Sequence, residues 1–276
     1  MDQNLIDQAC AAFEVQEVEK LREGGQKFAA VVTRNGESMV IKVIDLSNAQ
    51  NVAEILERAR RETGLIGDID HPNVVRLVED IRELGGLPPT GVAWLEEHVP
   101  GTDLGDHLRI PWDWSETQQL GFQVSRGLSA LHDRNVVHRD LSPSNVRRTP
   151  DGNYVILDPG YARHLDRSTL TIFGQPGTPG FLSPEHLTVS GPSPASDVFG
   201  VGILMYIALT GDLPVPLTAD IAAYQDALRN RQVASAAVVR PDLSPQQVGV
   251  VDRCLNRQPA RRYLDGNELA AALDAL

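Results

Sequence analysis

The sequence predicts an α+β fold of two lobes, with strands in the first lobe and mostly helices in the second. β-rich runs dominate from about residue 15 to residue 97 and are interrupted by one charged segment with helical spacing. After Pro100-Gly101 the pattern changes to long helices and loops. A chain of 276 residues is long enough for two lobes, and clefts between lobes are where ligands usually bind.

The first lobe is predicted to be a set of strands with one helix. NLIDQACAAF has the apolar spacing of a short helix, which we assign to an N-terminal extension of residues 1–13. FAAVVTR and MVIKVIDL are β-rich runs joined by Asn35-Gly36, a dipeptide typical of tight hairpin turns. NVAEILERARRETGLIGDI predicts a helix that ends near His71-Pro72, and VVRLVEDIREL and GVAWLEEHV predict two further strands.

The second lobe is predicted to open with a long helix. SETQQLGFQVSRGLSALHDR has helical spacing, and Ser115 is a candidate N-cap. We therefore expect a first lobe of about residues 14–97, a connection of about 97–104 and a second lobe of about 104–276. Together the two lobes form one domain of residues 14–276.

Composition narrows the class of protein. A net charge of −12 disfavours general binding to nucleic acid or to an anionic membrane, because both carry negative charge. No apolar run reaches the about 18 residues of a membrane span, and the first residues lack the basic start of a signal peptide. The two cysteines lie far apart, which indicates neither a disulfide framework nor a zinc site. We expect a cytoplasmic protein.

Two charged residues of the first lobe are candidates for phosphate binding. Lys42 lies within the strand MVIKV, from which it can reach into a cleft and hold nucleotide phosphates. Glu62 lies on the next predicted helix, and a buried lysine needs a carboxylate partner. Taken singly, a lysine facing water and one more charge on a charged helix would give the same pattern.

The segment VVHRDLSPSNV carries the strongest candidates for chemistry. Asp140 and Asn145 lie five residues apart, where a carboxylate can steer a hydroxyl proton and an amide oxygen can bind magnesium. His138 and Arg139 would brace this loop. Asp158 follows the apolar strand YVIL and precedes Pro159-Gly160, a suitable position for a metal ligand. Aspartate and asparagine also favour ordinary turns, so the argument rests on the combination.

The order of these segments resembles the protein kinase superfamily, in the eukaryotic-like or Hanks-type branch of bacterial serine/threonine kinases. The resemblance covers about residues 14–272. VIKV resembles the strand with the phosphate-anchoring lysine, HRDLSPSN the catalytic loop H-R-D-L-x-x-x-N, and DPG the motif D-F-G. GTPGFLSPE resembles the end of an activation segment, and SDVFGVGILMYIALTGDLP and CLNRQPARRY resemble two later motifs of the helical lobe.

The resemblance implies a bilobal protein-kinase-like fold that binds ATP and Mg²⁺, with Mn²⁺ as an alternative ion. In that family pattern Lys42 pairs with Glu62, and Asp140 is the catalytic base. Asn145 and Asp158 are the implied metal ligands. The implied nucleotide contacts, besides the lysine and its partner, are Gly24, Gly25, Lys27, Glu97 and Val99. The implied structural support comes from His138, Arg139, Asp197 and a pairing of Glu185 with Arg262.

Several positions depart from the family pattern. Ser142 stands where serine/threonine kinases carry a lysine, so one cation is missing from a reaction that depends on electrostatic stabilisation. The pattern G-x-G-x-x-G becomes REGGQK, and we hypothesise that Lys27, one of only three lysines, supplies the charge that Ser142 lacks. Pro159 replaces the phenylalanine of D-F-G, which predicts that Asp158 resists turning away. Glu96 aligns with the gatekeeper position before the connection.

The expected function is that of an ATP- and magnesium-dependent protein kinase that phosphorylates serine or threonine of a protein substrate and of itself. Two alternatives stay open: a pseudokinase that serves as a nucleotide-binding or scaffold module, and a small-molecule phosphotransferase that shares H-x-D-x-x-x-x-N. Thr178 in GTPG favours a serine or threonine acceptor. With Arg139 and Arg163 as phosphate receivers, the candidate phosphorylation sites are Ser168, Thr169 and Thr171.

Overall fold

The computed structural model describes residues 3–24, 27–49, 51–159, 178–188, 191–230 and 233–276. The chain divides into two compact units. The first unit comprises residues 1–71 and 75–99, and the second comprises residues 72–74, 100–159 and the described residues after 177.

The first unit is built on a five-stranded antiparallel sheet with the order β1-β2-β3-β5-β4. Asn35 and Gly36, between β2 and β3, both have positive φ angles, of 54° and 84°. This is the backbone of the hairpin turn that the Asn-Gly dipeptide predicts, so that prediction is confirmed. The strands are β1 (Gln16–Gly24), β2 (Lys27–Arg34), β3 (Glu37–Asp45), β4 (Leu77–Leu84) and β5 (Gly91–Glu97).

Two helices accompany this sheet, α1 (Gln3–Phe13) and α2 (Val52–Ile66). The buried face of α1 shares one apolar core with alternate residues of β3 and β5, among them Ile41 and Leu95. Successive strand residues face opposite sides of a sheet, so Lys42 and Glu96 lie on the face away from α1. Helix α2 ends at Ile66, before the predicted end near His71, and a turn at Gly67-Asp68 follows it.

The second unit combines a small sheet with helices. The antiparallel sheet has the order β6-β7-β8, from β6 (Thr102–Asp103), β7 (Val146–Arg148) and β8 (Tyr154–Ile156). The helices are α3 (Trp114–His132), α4 (Pro194–Thr210), α5 (Ile221–Asn230), α6 (Ala236–Val239), α7 (Pro245–Cys254) and α8 (Gly266–Asp274). The predicted cap of α3 was wrong: the N-cap is Asp113, whose carboxylate accepts a hydrogen bond from the backbone of Glu116 at 2.8 Å.

Helix α4 forms the centre of the second unit. It is buried on every side, as a helix that is apolar all round must be. A Cβ atom at Gly200 would lie 3.0 Å from Cβ of Leu141, so the loop of residues 138–145 packs directly against this helix. No described helix is both long enough and apolar enough to span a lipid bilayer.

Candidate active site

The buried carboxylate of Asp197 on α4 binds the backbone of the loop of residues 138–145. Oδ1 accepts the backbone N–H of Arg139 at 2.8 Å, and Oδ2 accepts the backbone N–H of His138 at 2.8 Å. Arg139 has a φ angle of 68°, a left-handed conformation that costs energy in most residues. Two charge-assisted hydrogen bonds on consecutive N–H groups offset that cost and fix the direction of the loop.

His132 at the end of α3 is a third donor to Asp197, and no sequence motif indicated this contact. Its Nε2 lies 2.9 Å from Oδ2 of Asp197, while its Nδ1 accepts the backbone N–H of Gly266 at 3.1 Å. Because Nδ1 is an acceptor, the proton of a neutral ring is on Nε2 and is donated to Asp197. Burial alone would raise the pKa of Asp197, but the hydrogen bonds from His132 and the backbone hold that pKa below its ordinary value.

Asp140 has its carboxylate fixed from both sides. Asn145 Nδ2 donates to Oδ2 at 2.7 Å and to the backbone oxygen of Asp140 at 2.8 Å. Thr178 donates to Oδ1 with its backbone N–H and with its hydroxyl, each at 2.8 Å. The structure therefore brings Asp140, Asn145 and Thr178 into one hydrogen-bonded group, in which the two residues five apart in the sequence are in direct contact.

Asp158 is placed by hydrogen bonds of the residue before it. The backbone N–H of Leu157 donates to the carbonyl of Asn145 at 2.8 Å, and the ring of His138 bonds the Leu157 carbonyl at 2.9 Å. Asp158 then adopts a φ angle of 53°, in the left-handed region. Asp158 is thus tied to the loop that carries Asn145, as two ligands of one metal ion would need to be.

The residues present fit a magnesium ion. Both hydrogen bonds from the Asn145 amide to Asp140 use Nδ2, so the amide oxygen Oδ1 is the atom that can act as a ligand. One carboxylate and one amide oxygen, completed by phosphate oxygens and water, are what Mg²⁺ uses at nucleotide sites. Such a site needs no dedicated protein cage, and the described residues contain no cluster of three His, Cys, Asp or Glu side chains suited to a metal.

Glu185 and Arg262 form a buried ion pair with two parallel hydrogen bonds. Nη1 of Arg262 lies 2.6 Å from Oε1 of Glu185, and Nη2 lies 2.9 Å from Oε2. The guanidinium also lies over the ring of Phe199, 4.7 Å from its centroid. Burial would raise the pKa of Glu185, but the hydrogen bonds and charge of Arg262 lower it overall. The structure thus brings together the two residues that the resemblance pairs.

His186 couples the same segment to the loop. Its Nδ1 contacts the Ser183 hydroxyl at 2.7 Å, and its Nε2 lies 3.0 Å from the backbone oxygen of Arg139. Burial lowers the pKa of His186, which keeps the ring neutral. His186 was not predicted as a site residue, although its position next to Glu185 is a usable indication.

Lys42 is paired with a carboxylate on the neighbouring strand β5. Its Nζ lies 2.7 Å from Oε2 of Glu96. The side chain of Glu62, the predicted partner on α2, lies outside the described part of the structure, so that pairing stays a prediction. The contact between Lys42 and Glu96 follows from the strand register. Val40 pairs with Glu96, which places Glu96 diagonally beside Lys42.

The remaining predicted residues are distributed as follows. Gly24 ends β1, Lys27 begins β2, Glu97 ends β5, and Val99 follows it in the connection. Gly25, Ser168, Thr169, Thr171 and Arg163 lie outside the described residues, as does the side chain of Lys27. Ser142 is fully buried, with its hydroxyl 3.1 Å from that of Ser144. The roles assigned to these residues stay predictions.

Comparisons with known proteins place this geometry in a family context. The family model described as protein kinase domain matches residues 17–268. Serine/threonine-protein kinase PknA of Mycobacterium tuberculosis is 31% identical over 256 residues, which cover 91% of this chain and 58% of PknA. Serine/threonine-protein kinase PkaA of Streptomyces coelicolor is 33% identical over 248 residues, covering 87% of this chain and 44% of PkaA. The chain therefore spans about half the length of these curated relatives.

A solved structure supports the fold. The crystal structure of the Mycobacterium tuberculosis PknI kinase domain matches with a TM-score of 0.70 at 22% identity, covering 95% of each chain. This likeness confirms the predicted α+β fold, with a β-sheet lobe followed by a helical lobe.

Proposed function

Because the chain belongs to the protein kinase domain family, we propose that it is an ATP-dependent serine/threonine protein kinase. It transfers the γ-phosphate of ATP to a serine or threonine hydroxyl of a protein substrate. The observation that carries the proposal is the carboxylate of Asp140, which is 3% exposed and is held by Asn145 on one oxygen and Thr178 on the other.

In this proposal Asp140 orients the attacking hydroxyl. A carboxylate with both oxygens fixed by donors loses little freedom when it accepts a further hydrogen bond from a substrate hydroxyl, so the hydroxyl is bound in one direction. The hydroxyl proton passes to the same carboxylate as the hydroxyl oxygen bonds to the γ-phosphorus, while the bond from that phosphorus to the bridging oxygen breaks and ADP leaves. Lys42 binds phosphate oxygens of the nucleotide, and the backbone of Glu97 and Val99 binds the adenine.

The proposed metal is Mg²⁺, with Mn²⁺ as an alternative, held by Oδ1 of Asn145 and the carboxylate of Asp158. When bound, the ion neutralises charge on the phosphates. The chain itself supplies the orientation of these ligands: Asp140 takes up Nδ2 of Asn145, and the paired Leu157 fixes the backbone before Asp158. Use of ATP and Mg²⁺ implies work in the cytoplasm, where both are available.

Two features support a protein substrate with a serine or threonine acceptor. Thr178 bonds the proposed catalytic carboxylate directly, so the end of the activation segment is coupled to the reacting group. The Glu185–Arg262 pair anchors that segment within the second unit. A surface on which a polypeptide docks needs such a fixed segment. The relatives named above, which are serine/threonine-protein kinases, support the same assignment.

Self-phosphorylation is part of the proposal. Ser168, Thr169 and Thr171 are the proposed acceptors, and Arg139 and Arg163 are the proposed receivers of the new phosphate. Mass spectrometry of the chain before and after incubation with Mg-ATP tests this. Full activity in a chain whose segment stays unmodified would reject the regulatory role.

The function is tested with radiolabelled ATP, Mg²⁺ and a generic protein substrate. We expect wild-type transfer to serine and threonine, and its loss in Asp140→Ala and Lys42→Met. Asp151→Ala removes an exposed turn aspartate and should leave transfer unchanged. Equal labelling by wild type and Asp140→Ala would reject the proposal, as would nucleotide binding without transfer or transfer to small alcohols and amines alone.

A further inference from the structure

Lys42, Trp94 and Glu96 lie together on one face of the sheet in the first unit. Lys42 on β3 is the register partner of Trp94 on β5, and Glu96 is two residues further along β5. Residues two apart on a strand face the same side of the sheet, so the three side chains lie next to one another. Nζ of Lys42 lies 2.7 Å from Oε2 of Glu96, and the indole Nε1 of Trp94 lies 2.9 Å from Oε1.

The ion pair between Lys42 and Glu96 is largely buried. The side chain of Glu96 is 3% exposed and that of Lys42 is 15% exposed. A buried carboxylate is stable only when its charge and its lone pairs are matched. Here each oxygen has its own donor: the neutral indole fixes Oε1, and the ammonium neutralises Oε2. Trp94 is itself fully buried, so its indole cannot move away and Glu96 is held in one orientation.

We propose that Glu96 is a positioning residue for Lys42, a carboxylate built into the sheet that holds the phosphate-binding ammonium in place. This rests on the proposed function, in which Lys42 binds ATP. An ammonium has three N–H donors, so the same group can bind a carboxylate and phosphate oxygens at once. The pairing of β3 with β5 therefore fixes the position of the Lys42 ammonium, in addition to the partner predicted on α2.

The consequence is a lysine whose position depends less on the α2 helix. If Glu96 shares the task with Glu62, removing either carboxylate weakens the placement of Lys42, and removing both abolishes it. The two substitutions are then coupled through one ammonium, and their effects on ATP use are not additive.

The ion pair is tested by chemical labelling without any activity measurement. The chain has three lysines, and exposed Lys20 serves as an internal reference for acetylation by acetic anhydride. In Glu96→Gln, the acetylation rate of Lys42 relative to Lys20 should rise about tenfold, because ion pairing keeps the amine protonated and only the neutral amine reacts. Glu79→Gln, which neutralises a carboxylate paired with Arg34 and Arg82 in the same sheet, should leave the ratio unchanged.

The positioning role is tested by steady-state kinetics. Glu96→Gln should raise KM for Mg-ATP about tenfold with a smaller change in kcat, since a misplaced lysine weakens nucleotide binding. Glu62→Gln should retain measurable transfer, and the double variant should fall to the level of Lys42→Met.

A Glu96→Gln variant with wild-type labelling ratio and wild-type KM overturns the proposal. A wild-type chain that transfers no phosphate overturns the proposed function instead, and the labelling result still decides whether the pair exists.

Folding of each variant is checked by thermal denaturation. Glu96→Gln keeps the shape of the side chain and an acceptor for Trp94, so we expect a cooperative transition. A purely structural role would lower the melting temperature and leave KM for Mg-ATP unchanged in the folded protein, which would also contradict the proposal.

Discussion

Thr178 donates two hydrogen bonds to the same carboxylate oxygen of Asp140, one from its backbone N–H and one from its hydroxyl, both at 2.8 Å. Only the second depends on the side chain. A substitution of Thr178 can therefore remove the hydroxyl donor and keep the backbone donor. Such a variant tests how far the orientation of Asp140 controls the reaction.

We expect Thr178→Val to lower kcat about 10- to 100-fold with little change in KM for ATP, because the carboxylate loses a donor that aims it at the acceptor hydroxyl. Thr178→Ser keeps the hydroxyl and should retain most of the activity. Phosphate transfer to a protein substrate at saturating ATP measures the effect. Equal activity of the Val and Ser variants would show that the backbone N–H alone orients Asp140.

The buried pair of Glu185 and Arg262 gives a prediction on stability. Glu185→Gln leaves the guanidinium, which is 1% exposed, without its counter-charge, and breaking such a pair costs about 3–5 kcal/mol in the free energy of unfolding. Urea denaturation measures this. Asp242→Asn, which removes an exposed partner of Arg240, should change stability much less.

The same pair predicts how stability depends on pH. The pKa of Glu185 is lowered in the folded chain, so below its ordinary value of 4.5 the unfolded chain binds more protons than the folded one. The stabilisation by Glu185 is therefore complete above that value and is lost as the pH falls toward the lowered pKa. Melting temperatures measured from pH 6 downward should fall less steeply for Glu185→Gln than for wild type. Parallel curves would contradict the assignment.

The loop at 138–145 was predictable because its chemistry and its structure depend on the same few adjacent residues. Asp140 and Asn145 lie five residues apart, so the short segment that carries both also contains the hydrogen bond between them. The turn at Asn35-Gly36 was predictable for a similar reason, since two adjacent residues with positive φ specify it.

Contacts between distant segments were not predictable in this way. Glu96 reaches Lys42 only through the register of β3 and β5, and His132 meets Asp197 only after two helices pack together. Each is an ordinary polar residue in its own segment. The N-cap of α3 was missed for a local reason: Asp113 and Ser115 both suit the position, and the sequence does not separate candidates two residues apart.

Lys27 carries a prediction that follows from Ser142. If Lys27 supplies the cation that Ser142 does not, Lys27→Ala should lower kcat about 100-fold, the size of one lost electrostatic contact in a transition state. Lys27→Arg keeps the charge and should retain most of the turnover. Lys20→Ala, at an exposed lysine of β1, is the matched control. An unchanged kcat in Lys27→Ala would end the hypothesis.

Helix α1 gives the final prediction, because it is packed as part of the first unit although we assigned it to an extension. Phe13 is fully buried in the core shared with the strands, and the guanidinium of Arg82 lies over its ring at 4.5 Å. Arg34 donates to the backbone oxygen of Phe13 at 3.0 Å, which satisfies a carbonyl at the end of the helix. These contacts tie α1 to one face of the sheet, and the opposite face carries Lys42.

Phe13→Ala should therefore destabilise the sheet as well as the helix, by about 3–5 kcal/mol. Hydrogen exchange followed by mass spectrometry should show faster exchange in peptides from β2 and β3, and KM for ATP should rise as Lys42 loses its rigid support. Val18→Ala, at a side chain that is 63% exposed on β1, should change stability by less than about 0.5 kcal/mol. If exchange accelerates only in α1, the helix is an appendage and the sheet holds Lys42 without it.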